Sequence, residues 1–349
     1  MKKNLLSLGL AAAMTAALLA GCSSSSSETT AAPESSAAAS EAASADASAA
    51  ESEAASADAT ATKPMEGKLG IIVLEADHGW LAGVSYYAEQ KCEELGIDYQ
   101  IYTSGNVNDQ ASQIEEAIAE GCAAIVLEPH TDEVSIAAQK IPDAGIPLIL
   151  FDRTVTGDYD AYVAGDNPGI GTAGAKNIGE ALGGKGTVLV HNVPSSGVVS
   201  TDRVDAFKAE MAASYPDIKL VDITTDDFTQ QSGLKTMTDA LVANPEIDAV
   251  FSIDDESSIG FLQAIKDAGR TDIKYMSGCG GAQAYFNKIN EEKDLNLFTE
   301  TYSPMMIQDA IDTAVKVVNG ESVEKTIIIP PTTVNKDNVA EFLDSSSPY

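Results

Sequence analysis

Short apolar runs alternate with longer stretches of helical periodicity along most of this chain. The run 146–151 is continuously apolar and follows Gly145, which is typical of a strand buried on both faces. The stretch 80–95 repeats its apolar residues at helical spacing and is followed by Gly96, a residue that commonly ends helices. The predicted strands are 69–74, 99–102, 123–127, 146–151, 187–190, 220–223, 249–253, 273–276, 296–301 and 326–329. The predicted helices are 80–95, 110–120, 132–144, 170–182, 200–214, 230–243, 257–268, one that begins at Ala282, and 305–318.

This alternation predicts the fold class. Strands that alternate with helices form parallel sheets with right-handed crossovers and with helices on both faces. About 280 residues follow residue 67, which is large for one core of this kind and comfortable for two. The series also breaks near its middle, at Asp166-Asn167. We therefore predict an α/β protein with two doubly wound parallel-sheet lobes and a ligand cleft between them.

The beginning of the chain has the pattern of a secretory signal. Two lysines precede an apolar run that is too short and too rich in alanine for a permanent membrane span. The run ends in Leu19-Ala20-Gly21-Cys22, which resembles the lipobox of bacterial lipoproteins, where the cysteine thiol receives a diacylglycerol. We predict a signal peptide at 1–21, lipidation of Cys22 and anchoring at the extracytoplasmic face of the cell membrane. The alternative is a cleaved signal with an incidental cysteine.

Residues 22–65 consist almost entirely of alanine, serine, threonine, glutamate and aspartate. Such a segment cannot bury enough apolar surface to fold, so we predict a disordered tether with a reach of roughly 35 Å. The whole chain has 21 lysines and arginines against 53 aspartates and glutamates, a formal net charge of −32. A surface this acidic repels nucleic acid, and we therefore exclude nucleic-acid binding.

The cysteines and histidines favour neither disulfides nor a metal. Cys92 lies in a predicted helix, Cys122 at a step from helix to strand, and Cys279 beside glycines in a predicted loop. Their spacing fits neither a metal site nor a disulfide framework, so we predict buried thiols and no metal. His130 and His191 follow strands, and they either line the cleft or only satisfy backbone groups.

The residues that follow the predicted strands are the candidate site, because ligands of open parallel sheets bind beyond the carboxyl ends of the strands. Asp152 and Arg153 follow the strand 146–151 and offer acceptors and a forked donor to hydroxyl groups. Aromatic residues at similar positions, such as Trp80, can lie against the apolar face of a sugar ring. Further residues of these types at strand ends are Asp77, His78, Asp226, Asp227, Phe228, Asp254, Asp255, Glu256 and Tyr302, and Arg203 lies at the entry of the helix that follows His191-Asn192. Together they predict a neutral sugar or polyol as the ligand.

At these residues the sequence resembles the ribose-binding-protein-like family of bacterial sugar-binding lipoproteins. The resemblance covers residues 68 to about 335, and its markers are Asp152-Arg153, Asp166-Asn167 before a helix rich in glycine and alanine, Asp202-Arg203, and 250–255. It implies the periplasmic binding protein fold and an ABC permease in the membrane as the partner. The ligand-binding positions that it implies are His78, Trp80, Leu81, Asp152, Arg153, Arg203, Phe228, Asp254, Gly280 and Tyr302.

The resemblance also implies a three-strand hinge about which the lobes close. The chain would cross near Asp166, recross near Tyr302 and return after Ile329. The implied lobes are 66–166 with 303–330, and 167–302 with 331–343. We expect the chain to act as a monomer.

Several positions depart from the ribose-type pattern. The family usually has an acid at Gly280, an amide at Tyr302 and a second aromatic residue at Leu81, and asparagine is more usual at His78 and Asp254. The departures indicate a hydroxyl pattern different from that of ribose. The implied aromatic sandwich places Trp80 against Phe228, with Tyr302 as a possible third ring.

Two other classes of function compete with an importer subunit. One is a receptor subunit that presents the same ligand to a membrane sensor, which a single sequence does not separate from the first. The other is an α/β enzyme such as a sugar dehydrogenase. The stretch 169–174 matches a dinucleotide-binding pattern, but the strand after it ends in Val190-His191-Asn192 without the required acid. We therefore interpret these glycines as sites of close helix packing and predict no enzymatic activity and no cofactor.

Overall fold

The computed structural model describes residues 65–76 and 78–349. The signal peptide, the lipidation of Cys22, the tether up to residue 64 and Asp77 lie outside the described residues. The strands are β1 Lys68–Leu74, β2 Asp98–Ser104, β3 Ala124–Leu127, β4 Leu148–Phe151, β5 Ala161–Gly165, β6 Gly186–Asn192, β7 Ile218–Thr224, β8 Ala249–Phe251, β9 Tyr275–Gly280, β10 Asn296–Thr301, β11 Thr326–Ile329 and β12 Thr333–Asn335. The α-helices are α1 Gly79–Leu95, α2 Val107–Ala119, α3 Ser135–Ala138, α4 Lys140–Asp143, α5 Asn167–Ala181, α6 Val198–Ser214, α7 Gln230–Ala243, α8 Asp255–Asp267, α9 Gln283–Glu291 and α10 Ile307–Val318.

The strands of the described part form two six-stranded sheets. The first has the order β11-β5-β4-β3-β1-β2 and is parallel throughout. The second has the order β12-β10-β9-β8-β6-β7, and its strands are parallel except for β12. The prediction of two parallel-sheet α/β lobes is therefore confirmed. The antiparallel edge strand β12 was not predicted. It arises because the chain re-enters the second lobe at the carboxyl end of β10 and must run back along that strand.

Each sheet has helices packed on both faces. In the first lobe, apolar residues of α1 and α10 cover one face of the sheet and include Val84 and Ile311. The helices α2, α3 and α4 cover the other face with residues such as Ile114 and Ile141. Helices α5 and α6 cover one face of the second sheet, and α7, α8 and α9 cover the other. This arrangement leaves the carboxyl ends of the strands free of helices, at the side where the lobes meet.

Three short segments carry the chain between the sheets. The first joins β5 to α5, the second follows β10, and the third joins β11 to β12. Backbone hydrogen bonds tie these segments to one another: the Asp166 N–H donates to the Ile329 carbonyl at 3.0 Å, and the Thr301 N–H donates to the Thr332 carbonyl at 3.0 Å. The connections lie where the hinge was predicted; the hinge motion and the lobe boundaries stay predictions.

Other predicted elements differ locally from the structure. The helix predicted over 132–144 is a 3₁₀ turn followed by α3 and α4, because Pro142 lacks the N–H that a continuous helix would use there. The strands β5 and β12 were not predicted. Cys279 lies within β9 and not in a loop. Cys92, Cys122 and Cys279 are buried free thiols, so the prediction that these thiols are buried is confirmed. None of the helices within 65–76 and 78–349 combines the length and the apolar character that a membrane span requires.

Candidate functional site

A small cavity lies between the two lobes at the carboxyl ends of the strands. Its volume is about 70 Å³, which is room for roughly five water molecules. All ten residues that were predicted as ligand-binding positions surround it, including Leu81 and Arg153. The residues around the cavity that the resemblance did not imply are Ser196, Val199, Glu256, Cys279 and Tyr349, and of these Glu256 was noted at a strand end in the sequence. The structure thus brings the candidate residues together, and their contact with a ligand stays a prediction.

Asp152 directly follows β4 and has an unusual backbone conformation. Its φ is +61°, the only positive φ of a non-glycine residue within 65–76 and 78–349. Its carboxylate accepts a hydrogen bond from the Tyr302 hydroxyl at 2.5 Å and lies 3.4 Å from Nε of Arg153. Strained backbone of this kind concentrates at functional sites, where the surrounding contacts hold it in place. Here the contact to Tyr302 joins the end of a first-lobe strand to the segment that leaves the second sheet.

Arg203 lies on α6 and reaches the cavity from the second lobe. A Cβ at Gly171 would lie 2.1 Å from the Arg203 carbonyl oxygen, so this glycine allows α5 and α6 to pack closely. Nε of Arg203 donates to Oδ1 of Asn167 at 2.8 Å, and Nη1 donates to the Ile253 carbonyl at 2.8 Å. The guanidinium carbon also stands 4.6 Å from the centre of the Tyr302 ring. These contacts fix a buried cation at the cavity. Gly171 serves helix packing as predicted, whereas Gly169 makes room for the Asp166 carboxylate and Gly174 for the ring of Phe251 in β8.

The aromatic side chains come from both lobes. Trp80 stacks nearly parallel to Phe151 at 6.2 Å, and its indole N–H donates to the Tyr302 carbonyl at 2.8 Å. Phe228 of the second lobe meets His78 edge to face at 5.9 Å. Both Trp80 and Phe228 line the cavity, and their action as a sandwich around a ligand stays a prediction.

Asp254 has a structural task in addition to its place at the cavity. Its two carboxyl oxygens accept from the backbone N–H groups of Glu256 and Ser257, at 3.2 and 2.6 Å, and so cap α8. Burial raises the pKa of Asp254 to about 7 and the pKa of neighbouring Asp255 to about 6. A carboxylate oxygen can accept more than one hydrogen bond, so Asp254 keeps acceptor capacity for a ligand hydroxyl.

Glu256 connects the two lobes. Its Oε1 accepts a hydrogen bond from the Gly79 N–H at 3.0 Å, at the beginning of α1. A carboxylate is favourable there because the N-terminus of a helix carries partial positive charge. Its position among three acids after β8 was visible in the sequence, but nothing in that pattern assigned it a partner in the other lobe.

Glu128 follows β3 and lies behind Asp152. It is completely buried and accepts from the Leu74 N–H at 3.3 Å, whereas Oε1 has no hydrogen-bond partner. Burial, followed by repulsion from Asp152, raises the pKa of Glu128 to about 8. The folded protein therefore holds a proton at this carboxyl in neutral solution.

The histidines other than His78 do not line the cavity between the lobes. His191 is buried and exchanges hydrogen bonds with the hydroxyls of Ser252 and Thr225, at 3.1 and 2.9 Å, and burial lowers its pKa to about 3. His130 lies nearby, where Nε2 is 2.9 Å from the Ser104 carbonyl oxygen. Among the described residues no cluster of histidine, cysteine and acidic side chains could hold a metal ion.

A cavity between two α/β lobes, lined by aromatic rings and by fixed charged groups, defines the class of two-lobed ligand-binding proteins. The sequence profile of the periplasmic binding protein domain matches residues 69–322, and the chain belongs to this family. Within it, the chain is of the ribose-binding-like, sugar-binding type, which confirms the resemblance stated above. Proteins of this family bind substrates for transport and act outside the cytoplasm.

Individual relatives support this assignment. A protein of Rhizobium meliloti named for rhizopine binding is 33% identical over 257 residues, which cover 71% of this chain and 82% of that protein. The ribose import binding protein of Bacillus subtilis is 28% identical over 273 residues, which cover 76% of this chain and 86% of that protein. A crystal structure of an ABC transporter periplasmic solute-binding protein from Actinobacillus succinogenes with bound D-allose has a TM-score of 0.71 at 24% identity. The superposition covers 79% of this chain and 100% of the other chain, and it shows that the two folds are alike.

Proposed function

We propose that this protein is a lipid-anchored, extracytoplasmic substrate-binding protein that captures a neutral sugar or polyol and delivers it to an ABC importer. The observation that carries the proposal is the convergence of Trp80, Asp152 and Arg203 on one small cavity between the lobes. A sugar hydroxyl both donates and accepts, so it matches a site with carboxylates and a guanidinium, and a ring covers its apolar face. The family and its sugar-binding relatives support the same conclusion.

The proposed ligand is not ribose. Gly280 supplies no acid, and the phenol of Tyr302 already donates its hydrogen bond to Asp152. The oxygens of Asp254 are partly engaged by the cap of α8. The groups left to meet hydroxyls therefore differ from the ribose-type pattern. The anchor at Cys22 is supported by the lipobox in the sequence.

Thermal-shift screening with pentoses, hexoses, polyols and inositols tests the proposal. A ligand at a hundred times its dissociation constant adds about 2.7 kcal/mol to the free energy of unfolding, which raises the melting temperature by several degrees. No stabilisation by any of these compounds would contradict a sugar-binding function.

The variant Arg203→Ala tests the site itself. Removal of this buried, hydrogen-bonded cation should weaken sugar binding by about a hundredfold, because the hydroxyl groups of the ligand lose their charged donor. Lys208→Ala is the matched control, since Lys208 lies on the same helix and pairs with Asp222 at 2.7 Å on the surface. An unchanged dissociation constant for Arg203→Ala, measured by calorimetry, would remove Arg203 from the site.

A further inference from the structure

The last residues of the sequence bridge the two lobes. Residues 344–349, which we call the strap, begin on the second lobe, where Oε1 of Gln283 in α9 accepts from the Asp344 N–H at 2.8 Å. They end on α1 of the first lobe, where the hydroxyls of Ser347 and Tyr87 are 2.6 Å apart. The strap is thus a further connection between the lobes, beside the three segments that join the sheets.

The strap carries Tyr349 into the cavity. The Tyr349 side chain is 9% exposed and belongs to the cavity wall. Glycines surround it: a Cβ at Gly79 or at Gly83 would lie 3.3 Å from an atom of Tyr349, and a Cβ at Gly280 would lie 2.1 Å from its hydroxyl oxygen. The phenol therefore occupies the volume that a side chain at position 280 would take. Because Gly79 and Gly83 belong to the first lobe and Gly280 to the second, this seat needs both lobes.

The phenol of Tyr349 lies in an acidic environment. Burial, followed by the charges of Asp255 and Asp254, raises its pKa well above the ordinary value. The hydroxyl therefore keeps its proton and is available as a neutral donor. A neutral donor among carboxylates suits a ligand whose hydroxyl groups both donate and accept.

We propose that Tyr349 is a ligand-contacting residue and that its ring sets the size of sugar that the cavity accepts. The inference rests on the proposed function, because it assigns a specificity role at the same site. A cavity of about 70 Å³ is small, and the Tyr349 ring forms its wall beside Gly280. Since the seat of the ring is formed by both lobes, the strap docks together with lobe closure and contributes to holding the ligand.

Calorimetric titration of four proteins with monosaccharides and disaccharides tests this inference. Tyr349→Phe should weaken monosaccharide binding by about two- to tenfold, the effect of one hydrogen bond, and Tyr349→Ala by about tenfold or more. Tyr349→Ala should also bind disaccharides that the wild-type protein excludes. Ser345→Ala is the control, because Ser345 is exposed in the same strap, and it should bind like the wild type. Monosaccharide binding by Tyr349→Ala that equals the wild type would overturn the inference. Tighter binding would overturn it as well, because the strap would then compete with the ligand.

A second measurement needs no sugar. Trp80 is the single tryptophan of the chain and lines the same cavity, so its fluorescence reports the polarity there. Tyr349→Ala should shift the emission to longer wavelength by admitting water, and Ser345→Ala should leave it unchanged. If the emission of Tyr349→Ala shifts but the wild-type protein binds no sugar, the proposed function is refuted and the position of the Tyr349 ring in the cavity is supported. Unchanged emission with wild-type sugar affinity would refute the inference alone.

Discussion

The hydrogen bond between Tyr302 and Asp152 gives the sharpest test of the site. The variant Tyr302→Phe removes one hydroxyl group and keeps the ring beside the Arg203 guanidinium. Asp152 is 6% exposed, so the variant leaves a buried carboxylate without its 2.5 Å donor. Hydrogen bonds to charged groups contribute about 1.5–3 kcal/mol, and we expect a loss of this size in the free energy of unfolding. Burial and the neighbouring Asp152 raise the pKa of Tyr302 well above its ordinary value, so the hydroxyl remains a donor across the accessible pH range.

Urea denaturation measures this loss as a lower midpoint at an unchanged slope. Tyr285→Phe is the matched control, because Tyr285 is also buried and its hydroxyl has neutral partners, the Ser258 side chain and the Met276 carbonyl, to which it donates at a long 3.4 Å. We expect about 0.5–1 kcal/mol for the control. Sugar affinity should fall for Tyr302→Phe and remain for Tyr285→Phe, because only the first change releases Asp152. Equal losses of stability in the two variants would show that the charged partner does not make this bond strong.

Two further predictions concern other parts of the chain. Burial raises the pKa of Glu128 to about 8, so its contribution to stability is complete at low pH and is lost as the pH rises from the ordinary glutamate range through 8. At pH 8 the free energy of unfolding of Glu128→Gln should therefore exceed that of the wild type by ~1 kcal/mol or more, measured as a higher urea midpoint, and near pH 4 the two should be equal. A difference that does not depend on pH would contradict this. Cys22→Ala should abolish palmitate incorporation and release the protein from the membrane fraction, and labelling that persists would place the lipid elsewhere.

Much of the fold was predictable because the local signals agree with the tertiary structure. Glycines with positive φ follow several helices, as Gly96 and Gly269 do, and the sequence predicted that helices end at these same positions. The strands β5 and β12 escaped prediction for a physical reason. The sequence of β5, Ala161–Gly165, contains two alanines and a glycine, so its apolar pattern is weak. The three residues of β12 become a strand only by pairing with β10, a segment distant in sequence.

The candidate site was predictable from strand ends, but the partners of its side chains were not. The rule that ligands meet the carboxyl ends of parallel strands selects Asp152 without a structure, whereas Arg203 lies within α6 and was implied by the family resemblance. Asp254 caps α8 with both carboxyl oxygens. This role can be predicted only if the first residue of the helix is known to within one position, which a sequence does not give. Tyr349 had no signal at all, because a short segment rich in serine has no periodicity and its seat at Gly280 lies 69 residues away.

The late position of α10 has a consequence for how the chain folds. This helix, Ile307–Val318, covers a face of the sheet whose strands β1 to β5 end at Gly165, and the edge strand β11 comes later still. A nascent chain that has emerged as far as the second lobe therefore still exposes apolar surface from its first. Synthesis must pass residue 329 before the first lobe has its full set of strands, so this lobe completes its fold only late in translation.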